Sequence, residues 1–167
     1  MGCTLLIHTE LGQFCTKNNK TSIKLGRLEE DSSYLGMMFL NGQSSSKNSY
    51  SSILTIDSDF FINENFSAFI SLTGMRAEPY ENFSFINIRS DSSFLTSTNL
   101  SILGKDIFNK KDRFRLDYLV PLSIEKGTAD LQYISGRDYL GNSTLGMLKV
   151  NLAPAHRERV LSANYSV

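Results

Sequence analysis

Residues 66–76 read FSAFISLTGMR, and this stretch decides the fold. Its apolar side chains Phe66, Ala68, Ile70 and Leu72 fall at every second position. A period of two places such side chains on one face of a β-strand, because successive residues of a strand point to opposite faces. The stretch therefore predicts a strand with one apolar face and one largely polar face.

The residues just upstream repeat this pattern. Leu54, Ile56 and Phe60 alternate with Thr55, Asp57 and Asp59. The polar segment Ile62-Asn63-Glu64-Asn65 then separates the two runs, and Asn is a residue that favours tight turns. The two runs together predict an antiparallel hairpin.

The same alternation extends over most of the chain and predicts an all-β fold. We expect an antiparallel meander of about nine strands that forms a partial or complete barrel. No amphipathic helix is expected after residue 20, and the stretches 43–49 and 76–82 are expected to be surface loops. The predicted strands cover residues 22–28, 33–40, 52–60, 66–76, 94–106, 112–120, 128–134, 145–152 and 159–167.

Length and charge limit the possible functions. The chain has 167 residues, which favours a single domain, here expected over 22–167 after a poorly specified segment 1–21. Lys plus Arg and Asp plus Glu both number 17, so no basic excess is available to bind a phosphate backbone. We therefore expect no nucleic-acid partner.

Few residues suit catalysis or metal binding. Cys3 and Cys15 have no accompanying His and Asp cluster, so neither a metal nor a cofactor is expected. A protease triad needs a nucleophile, a base and an orienting acid, but the only histidines are His8 and His156. Ser143 lies in GNSTLG, which lacks the spacing of a nucleophile motif. We expect no enzymatic activity in this chain, and a small β-rich hydrolase is the least favoured class.

Acidic pairs also have a simpler interpretation. Asp57 and Asp59 share one strand face, and Glu29, Glu30 and Asp31 are consecutive, without the glycine and spacing of a calcium loop. We expect all of these carboxylates to be solvated.

Alternation alone leaves two architectures open. In a soluble β-sandwich the apolar face would form the core, whereas in an outer-membrane barrel it would face lipid. Three features favour the barrel. Several strands have the 9 to 13 residues that a tilted membrane strand needs, and Arg113, Arg115 and Asp117 form a charged polar side. Aromatic residues lie mainly near the predicted strand ends: Phe60, Phe66, Phe94, Phe108, Tyr133 and Tyr165.

A family resemblance favours the same architecture. Residues 111–129, KDRFRLDYLVPLSIEKGTA, resemble a signature of the C-terminal β-barrel of subtilisin-like autotransporters. LGRLEEDSSYLG at 25–36 is similar to an upstream pair of barrel strands, and TGMRAE at 73–78 is similar to a strand that leads into a loop. NLAPAHRERVLSANYSV at 151–167 resembles the terminal hairpin of that family.

The resemblance implies a translocator that anchors and exports a passenger, a subtilisin-like protease in that family. Its expected partners are outer-membrane lipid, the barrel-assembly machinery, and a passenger or missing barrel strands. The expected location is the outer membrane of a Gram-negative bacterium, although residues 1–15 do not read as an export signal. Family barrels have more strands and end on an aromatic residue, whereas this chain ends on Val167, so we expect the distal part of a longer autotransporter.

The barrel hypothesis assigns each strand face. The expected lumen-facing residues are Asp57, Asp59, Arg113, Arg115 and Asp117. The expected lipid-facing residues are Leu54, Ile56, Phe66, Ile70, Leu72, Leu100, Ile102, Phe114, Leu116, Tyr118 and Val120. The alternative is a soluble β-sandwich or barrel that acts as a binding or adhesin-like module, with these apolar residues inside.

Overall fold

The computed structural model describes residues 4–31, 33–34, 37–38, 48–78, 86–88 and 93–167. These residues form strands, turns and irregular segments but no helix, so the predicted all-β antiparallel meander is confirmed. The strands are β1 (Thr4–Cys15), β2 (Asn19–Asp31), β3 (Ser33–Tyr34), β4 (Met37–Met38), β5 (Asn48–Phe61), β6 (Phe66–Glu78), β7 (Ile86–Ile88), β8 (Ser93–Lys105), β9 (Arg113–Lys126), β10 (Thr128–Arg137), β11 (Ser143–Asn151) and β12 (Val160–Ser166).

Most of these strands form one sheet of seven, in the order β1-β2-β5-β6-β8-β9-β12, with every neighbouring pair antiparallel. The predicted hairpin is its centre, where Ile56 pairs with Leu72. The turn between them is fixed by the Asn63 side chain, which accepts hydrogen bonds from the backbone N–H groups of Asn65 at 2.9 Å and Phe66 at 2.8 Å. This is the local bonding for which Asn is favoured in turns.

The two ends of the seven-stranded sheet differ. At one end, which we call the short-turn end, the brief segments 16–18, 62–65 and 106–112 connect adjacent strands. At the opposite, long-loop end, the chain makes longer excursions over 32–47, 79–92 and 127–159. These excursions carry the small β3-β4 sheet and a three-stranded sheet in the order β11-β10-β7.

Strand β9 contains a bulge and stays paired with β8 as far as Lys126. Thr98 pairs with Val120 but Thr96 pairs with Ser123, so β9 accommodates one extra residue next to Pro121. Proline has no N–H to donate and is tolerated in a sheet at such bulges. Gly127 then leads directly into β10, and its carbonyl accepts a 2.9 Å hydrogen bond from the N–H of Leu152.

The predicted strands correspond to observed ones with shifted ends, and two strands were missed. Residues 4–15 form β1, which pairs with β2 along its length, so part of the segment left without structure at 1–21 belongs to the sheet. Strand β7 at 86–88 was also not predicted. The predicted strand 33–40 is represented by β3 and β4, and its remaining positions lie outside the described residues. Most of the predicted loops 43–49 and 76–82 also lies outside them, although β5 includes 48–49 and β6 includes 76–78.

Candidate functional site: the two faces of the seven-stranded sheet

One face of the seven-stranded sheet is apolar through most of its height. Residues paired across antiparallel strands share a face, and the face of Ile70, which pairs with Ser58 and Leu100, is here called the apolar face. The register places every residue predicted to face lipid on it: Leu54, Ile56, Phe66, Ile70, Leu72, Leu100, Ile102, Phe114, Leu116, Tyr118 and Val120.

This apolar face is open in its centre. Leu54 is 42% exposed, Leu72 47% and Ile102 37%, which shows that no second layer covers them. Val120 differs from the other predicted lipid-facing residues, because it is only 8% exposed. In a soluble sandwich these central positions would be the most deeply buried of the chain.

The same face contains apolar residues that the sequence reasoning did not assign. Ile23 and Leu25 extend it onto β2, and Leu161 and Ala163 extend it onto β12. Their strands show the same apolar-polar alternation in the sequence, so this pattern could have assigned them to the apolar face. The face therefore extends from β2 to the edge strand β12.

Aromatic side chains border the apolar face. Phe66, Phe114 and Tyr165 lie in one register row near the short-turn end, with Gly104 between the two phenylalanines. Tyr50 and Phe94 lie on the same face near the long-loop end. Two other predicted border aromatics lie elsewhere, Phe108 in the 106–112 turn and Tyr133 in β10.

The height between the aromatic rows can be approximated from one strand. Phe60 and Tyr50 lie at opposite ends of the same face of β5. Ten residues at about 3.3 Å each give about 33 Å along the strand. The row of Arg27, Ser52 and Arg76 lies within this span, so the continuous apolar part of β5, from Phe60 to Leu54, is six residues or about 20 Å along the strand.

The opposite face, here called the polar face, holds cross-strand hydrogen bonds and ion pairs. It carries all five residues predicted to face a lumen: Asp57, Asp59, Arg113, Arg115 and Asp117. The amine of Lys24 lies 2.7 Å from a carboxylate oxygen of Asp57, and the hydroxyl of Ser71 donates to the other oxygen at 2.6 Å.

A second group on the polar face joins β8, β9 and β12. Arg115 Nε lies 2.8 Å from Asp117 Oδ1, and the hydroxyl of Ser101 donates to the same oxygen. Ser162 of β12 also contacts Asp117. Ser101 is 2% exposed and Ser22, on the same face, 8%. The polar face therefore buries the side chains of Ser22 and Ser101, whereas Leu54, Leu72 and Ile102 on the apolar face stay open.

The polarity of both faces reverses near the long-loop end. There the polar face carries Met75, Ala77 and Leu95, which form the buried apolar cluster with Ala129 of β10. Leu28, Ile53, Ile124 and Leu152 pack around this cluster.

At the same height the apolar face becomes charged. Arg27, Ser52 and Arg76 occupy one register row, immediately beyond the row of Leu25, Leu54 and Gly74. The guanidinium carbon of Arg27 lies 4.4 Å from the centre of the Tyr50 ring. On β2, β5 and β6 the apolar face therefore changes from apolar to charged between these two rows.

The short-turn end is fixed by one buried carboxylate. Asp112 accepts hydrogen bonds from the N–H groups of Ile107, Phe108 and Asn109 at 2.7, 2.8 and 2.9 Å, and from the Tyr165 hydroxyl at 3.1 Å. Burial would raise the pKa of Asp112, but these donors outweigh it and lower the pKa below its usual value. The contact with Tyr165 links the 106–112 turn to β12.

The residues considered for catalysis are placed apart in the fold. Ser143 begins β11, whereas His156 lies in the irregular segment between β11 and β12, and both are exposed. His8 lies in β1 of the seven-stranded sheet. Cys15 is an exposed free thiol, and Cys3 lies outside the described residues.

Metal ligands and membrane helices were searched for in the part of the chain that the structure describes. It contains no group of three or more His, Cys, Asp or Glu side chains positioned to hold a metal ion. None of its segments forms a helix with the length and apolarity required to cross a membrane.

Comparisons with known proteins identify no relative. A scan against protein-family models, a search of curated proteins and a search of solved structures each returned no match.

Proposed function

We propose that the seven-stranded sheet is a section of the wall of an outer-membrane β-barrel, with its apolar face toward lipid and its polar face toward a lumen. The observation that carries the proposal is the reversal of polarity on both faces at one level. In a soluble antiparallel sheet the apolar face covers a core and the polar face meets water, which does not by itself account for an open apolar face beside a second, reversed region. A membrane wall accounts for both features, because its outer surroundings change from lipid to water at the interface.

The exposure of the apolar face supports this assignment. A Leu or Ile side chain gains about 1.5–3 kcal/mol when it is fully removed from water, so Leu25, Leu54, Leu72 and Ile102 leave much of that free energy unused in aqueous solution. A surrounding bilayer would supply the missing apolar contacts. In the hydrocarbon region the backbone must bond within the sheet, and antiparallel strands of this length do so.

The asymmetry of the two ends gives the orientation. Outer-membrane barrels have short turns on the periplasmic side and longer loops outside the cell. On this basis the turns 16–18, 62–65 and 106–112 face the periplasm. The excursions that carry the β11-β10-β7 sheet, with its exposed Tyr133 and Leu145, then lie outside the membrane.

The specific function we propose follows from the family resemblance of residues 25–36, 73–78, 111–129 and 151–167. On this basis the chain belongs to an autotransporter translocator, which anchors and exports a passenger through a barrel lined by the polar face. The Lys24–Asp57 and Arg115–Asp117 pairs would lie on the lumen wall. The proposed location is the outer membrane, with lipid and further barrel strands as partners.

A pair of tryptophan variants tests which face meets lipid. The chain contains no Trp, so L72W and T73W would each carry one reporter, on adjacent residues of β6 that lie on opposite faces. In detergent micelles containing a spin-labelled lipid, we expect strong quenching of L72W fluorescence and little of T73W. Iodide in the aqueous phase should quench T73W more.

The alternative, a soluble binding module, gives a different result. The chain would then remain soluble without detergent, and L72W would be shielded from the spin-labelled lipid because the apolar face would be covered. Equal quenching of the two variants by the spin label would show that the assignment of faces is wrong.

A further inference from the structure

A groove lies on the apolar face at the level where the polarity of that face reverses. Its volume is about 500 Å³, and its floor is the register row of Leu25, Leu54 and Gly74. Phe94 forms one side, and a Cβ atom at Gly74 would lie 3.6 Å from the Phe94 ring. Because Gly74 has no side chain, the Phe94 ring lies close to the backbone of β6 at this point.

Two arginines stand at the rim of the groove. Arg27 and Arg76 lie in the next row toward the long-loop end, on either side of Ser52. Neighbouring strands are about 4.8 Å apart, so the two arginine backbones are about 10 Å apart. In the structure Arg27 lies over the Tyr50 ring and Arg76 lies near Glu78, and arginine side chains are long enough to turn from these positions toward a common anion near Ser52.

The contacts of these arginines leave donors available. Arg27 rests on the ring of Tyr50, and none of the described carboxylates forms an ion pair with it. Arg76 Nε lies 3.6 Å from Glu78 Oε1, and the two side chains are 65% and 55% exposed. An exposed ion pair of this length contributes little free energy, so Glu78 would compete only weakly with a second anion for the Arg76 guanidinium.

We infer that this groove binds a lipid with a phosphate headgroup, and the inference rests on the proposed membrane orientation. The phosphate would lie between Arg27 and Arg76, whose planar guanidinium groups match phosphate oxygens. An acyl chain would lie along Leu25, Leu54 and Gly74, toward the membrane interior. An apolar floor with a cationic rim at the membrane boundary complements an anionic amphiphile better than a soluble anion or an uncharged lipid.

Two acidic residues limit how far from the membrane interior the phosphate could lie. Glu29 and Glu78 lie one row beyond the arginines, on the same face. Their charges would repel a phosphate placed further from the membrane. The row of Arg27, Ser52 and Arg76 is therefore the level at which the phosphate would be held.

Binding is tested with the full chain carrying F94W as its only Trp, in zwitterionic detergent micelles. The probe is dihexanoyl phosphatidic acid, a short lipid with a phosphomonoester headgroup. We expect a saturable change in F94W emission and at least a tenfold loss of affinity when R27Q and R76Q are added. The matched control, R137Q, removes an exposed arginine of β10 and should leave the affinity unchanged.

Two further ligands separate the contribution of the acyl chains from that of the phosphate group. Dihexanoyl phosphatidylcholine has the same acyl chains, and inorganic phosphate has the same anion, so each should bind at least tenfold more weakly. Equal affinity for phosphatidylcholine would show an unselective apolar patch, and equal affinity for inorganic phosphate would show a plain anion site. Either result would overturn the inference.

The remaining outcomes also decide the matter. An unchanged affinity in R27Q/R76Q, or no saturable response of F94W, would overturn the lipid site. If R27Q/R76Q does not fold, G74L keeps both arginines and fills the floor, and it should abolish binding. The L72W and T73W pair reports on the faces independently, so normal L72W quenching without an F94W response would reject the lipid site alone.

Discussion

At the scale of the residue, Asp112 couples the stability of the short-turn end to pH. Its folded pKa is lowered by hydrogen bonds from backbone N–H groups, which outweigh the effect of burial. A lowered folded pKa stabilises the fold above the unfolded value of about 3.9, and this stabilisation is lost as the pH falls through the folded pKa. We expect D112N to lower the melting temperature at neutral pH and to reduce its decrease on acidification, measured by circular dichroism in detergent.

The control for this prediction is E64Q, which changes an exposed residue of the 62–65 turn. It should leave both the melting temperature and its pH dependence close to those of the parent. If D112N and the parent lose stability equally between neutral and acid pH, the Asp112 carboxylate does not carry the effect.

Gly104 is a second position where a single residue determines local packing. It lies in the aromatic row between Phe66 and Phe114. A Cβ atom there would overlap Ile107 Cδ1 and lie 3.2 Å from a carbon of the Phe66 ring. Overpacking costs about 1–3 kcal/mol, and because Cδ1 is the movable end of the Ile107 side chain, G104A should lower the free energy of unfolding by the lower part of that range, about 1 kcal/mol.

The interaction with Ile107 can be isolated by a double-mutant cycle. I107V removes the Cδ1 atom that meets the new Cβ, so G104A/I107V should be less destabilised than the sum of the single variants. The measurement is urea unfolding in detergent. Additive effects would mean that the clash lies elsewhere.

At the scale of the element, the sequence predicted strands well wherever the alternation is unbroken, as in the β5-β6 hairpin. It predicted the end of β9 at Val120, whereas the strand continues to Lys126. The reason is the bulge beside Pro121, which shifts the period by one residue. Strand β1 contains a similar irregularity between Glu10 and Gly12, and it was missed.

The reversal of polarity was also not predicted, because it depends on strands that are distant in sequence. Met75 and Leu95 lie on the polar face of β6 and β8, opposite to most of the other apolar residues of those strands. In the sequence of a single strand, each therefore looks like one isolated break in the alternation. Only the register between β6 and β8 shows that they are partners in one cluster. The proximity of Arg27 and Arg76 also follows only from the strand pairing, because both residues pair with Ser52 of β5.

The assignment of faces along one strand is tested in β9. Leu116 lies on the apolar face between Ile102 and Ala163, and Leu119 lies on the polar face of the same strand. L116R should cost about 2–4 kcal/mol if the residue is at the midplane of the bilayer, and less near the interface. L119R should cost less than L116R, because its side chain would face an aqueous lumen.

The measurement for this pair is the free energy of unfolding in phospholipid vesicles. An L116R variant as stable in lipid as the parent would contradict the outward assignment of the apolar face. A larger loss in L119R than in L116R would indicate that the two faces are reversed.

At the scale of the whole molecule, the number of strands controls closure. In the part of the chain that the structure describes, the sheet has seven strands, with β1 and β12 at its edges. Both edge strands run toward the short-turn end, since Cys15 pairs with Lys20 and Ser166 pairs with Arg113. Direct pairing of β1 with β12 would therefore be parallel, whereas bacterial outer-membrane barrels of a single chain are antiparallel with an even number of strands.

This geometry predicts that residues 1–167 alone do not form a closed monomeric barrel. An open edge in hydrocarbon leaves N–H and C=O groups unpaired, and each unsatisfied group costs several kcal/mol. When it is directed to the periplasm, the chain should either associate with additional strands or fail to insert. Cell fractionation, heat-modifiable gel mobility, protease resistance and chemical cross-linking distinguish these states. A protease-resistant, heat-modifiable monomer in the outer membrane would refute the need for further strands, and it would require β1 and β12 to meet by a rearrangement of the edge strands.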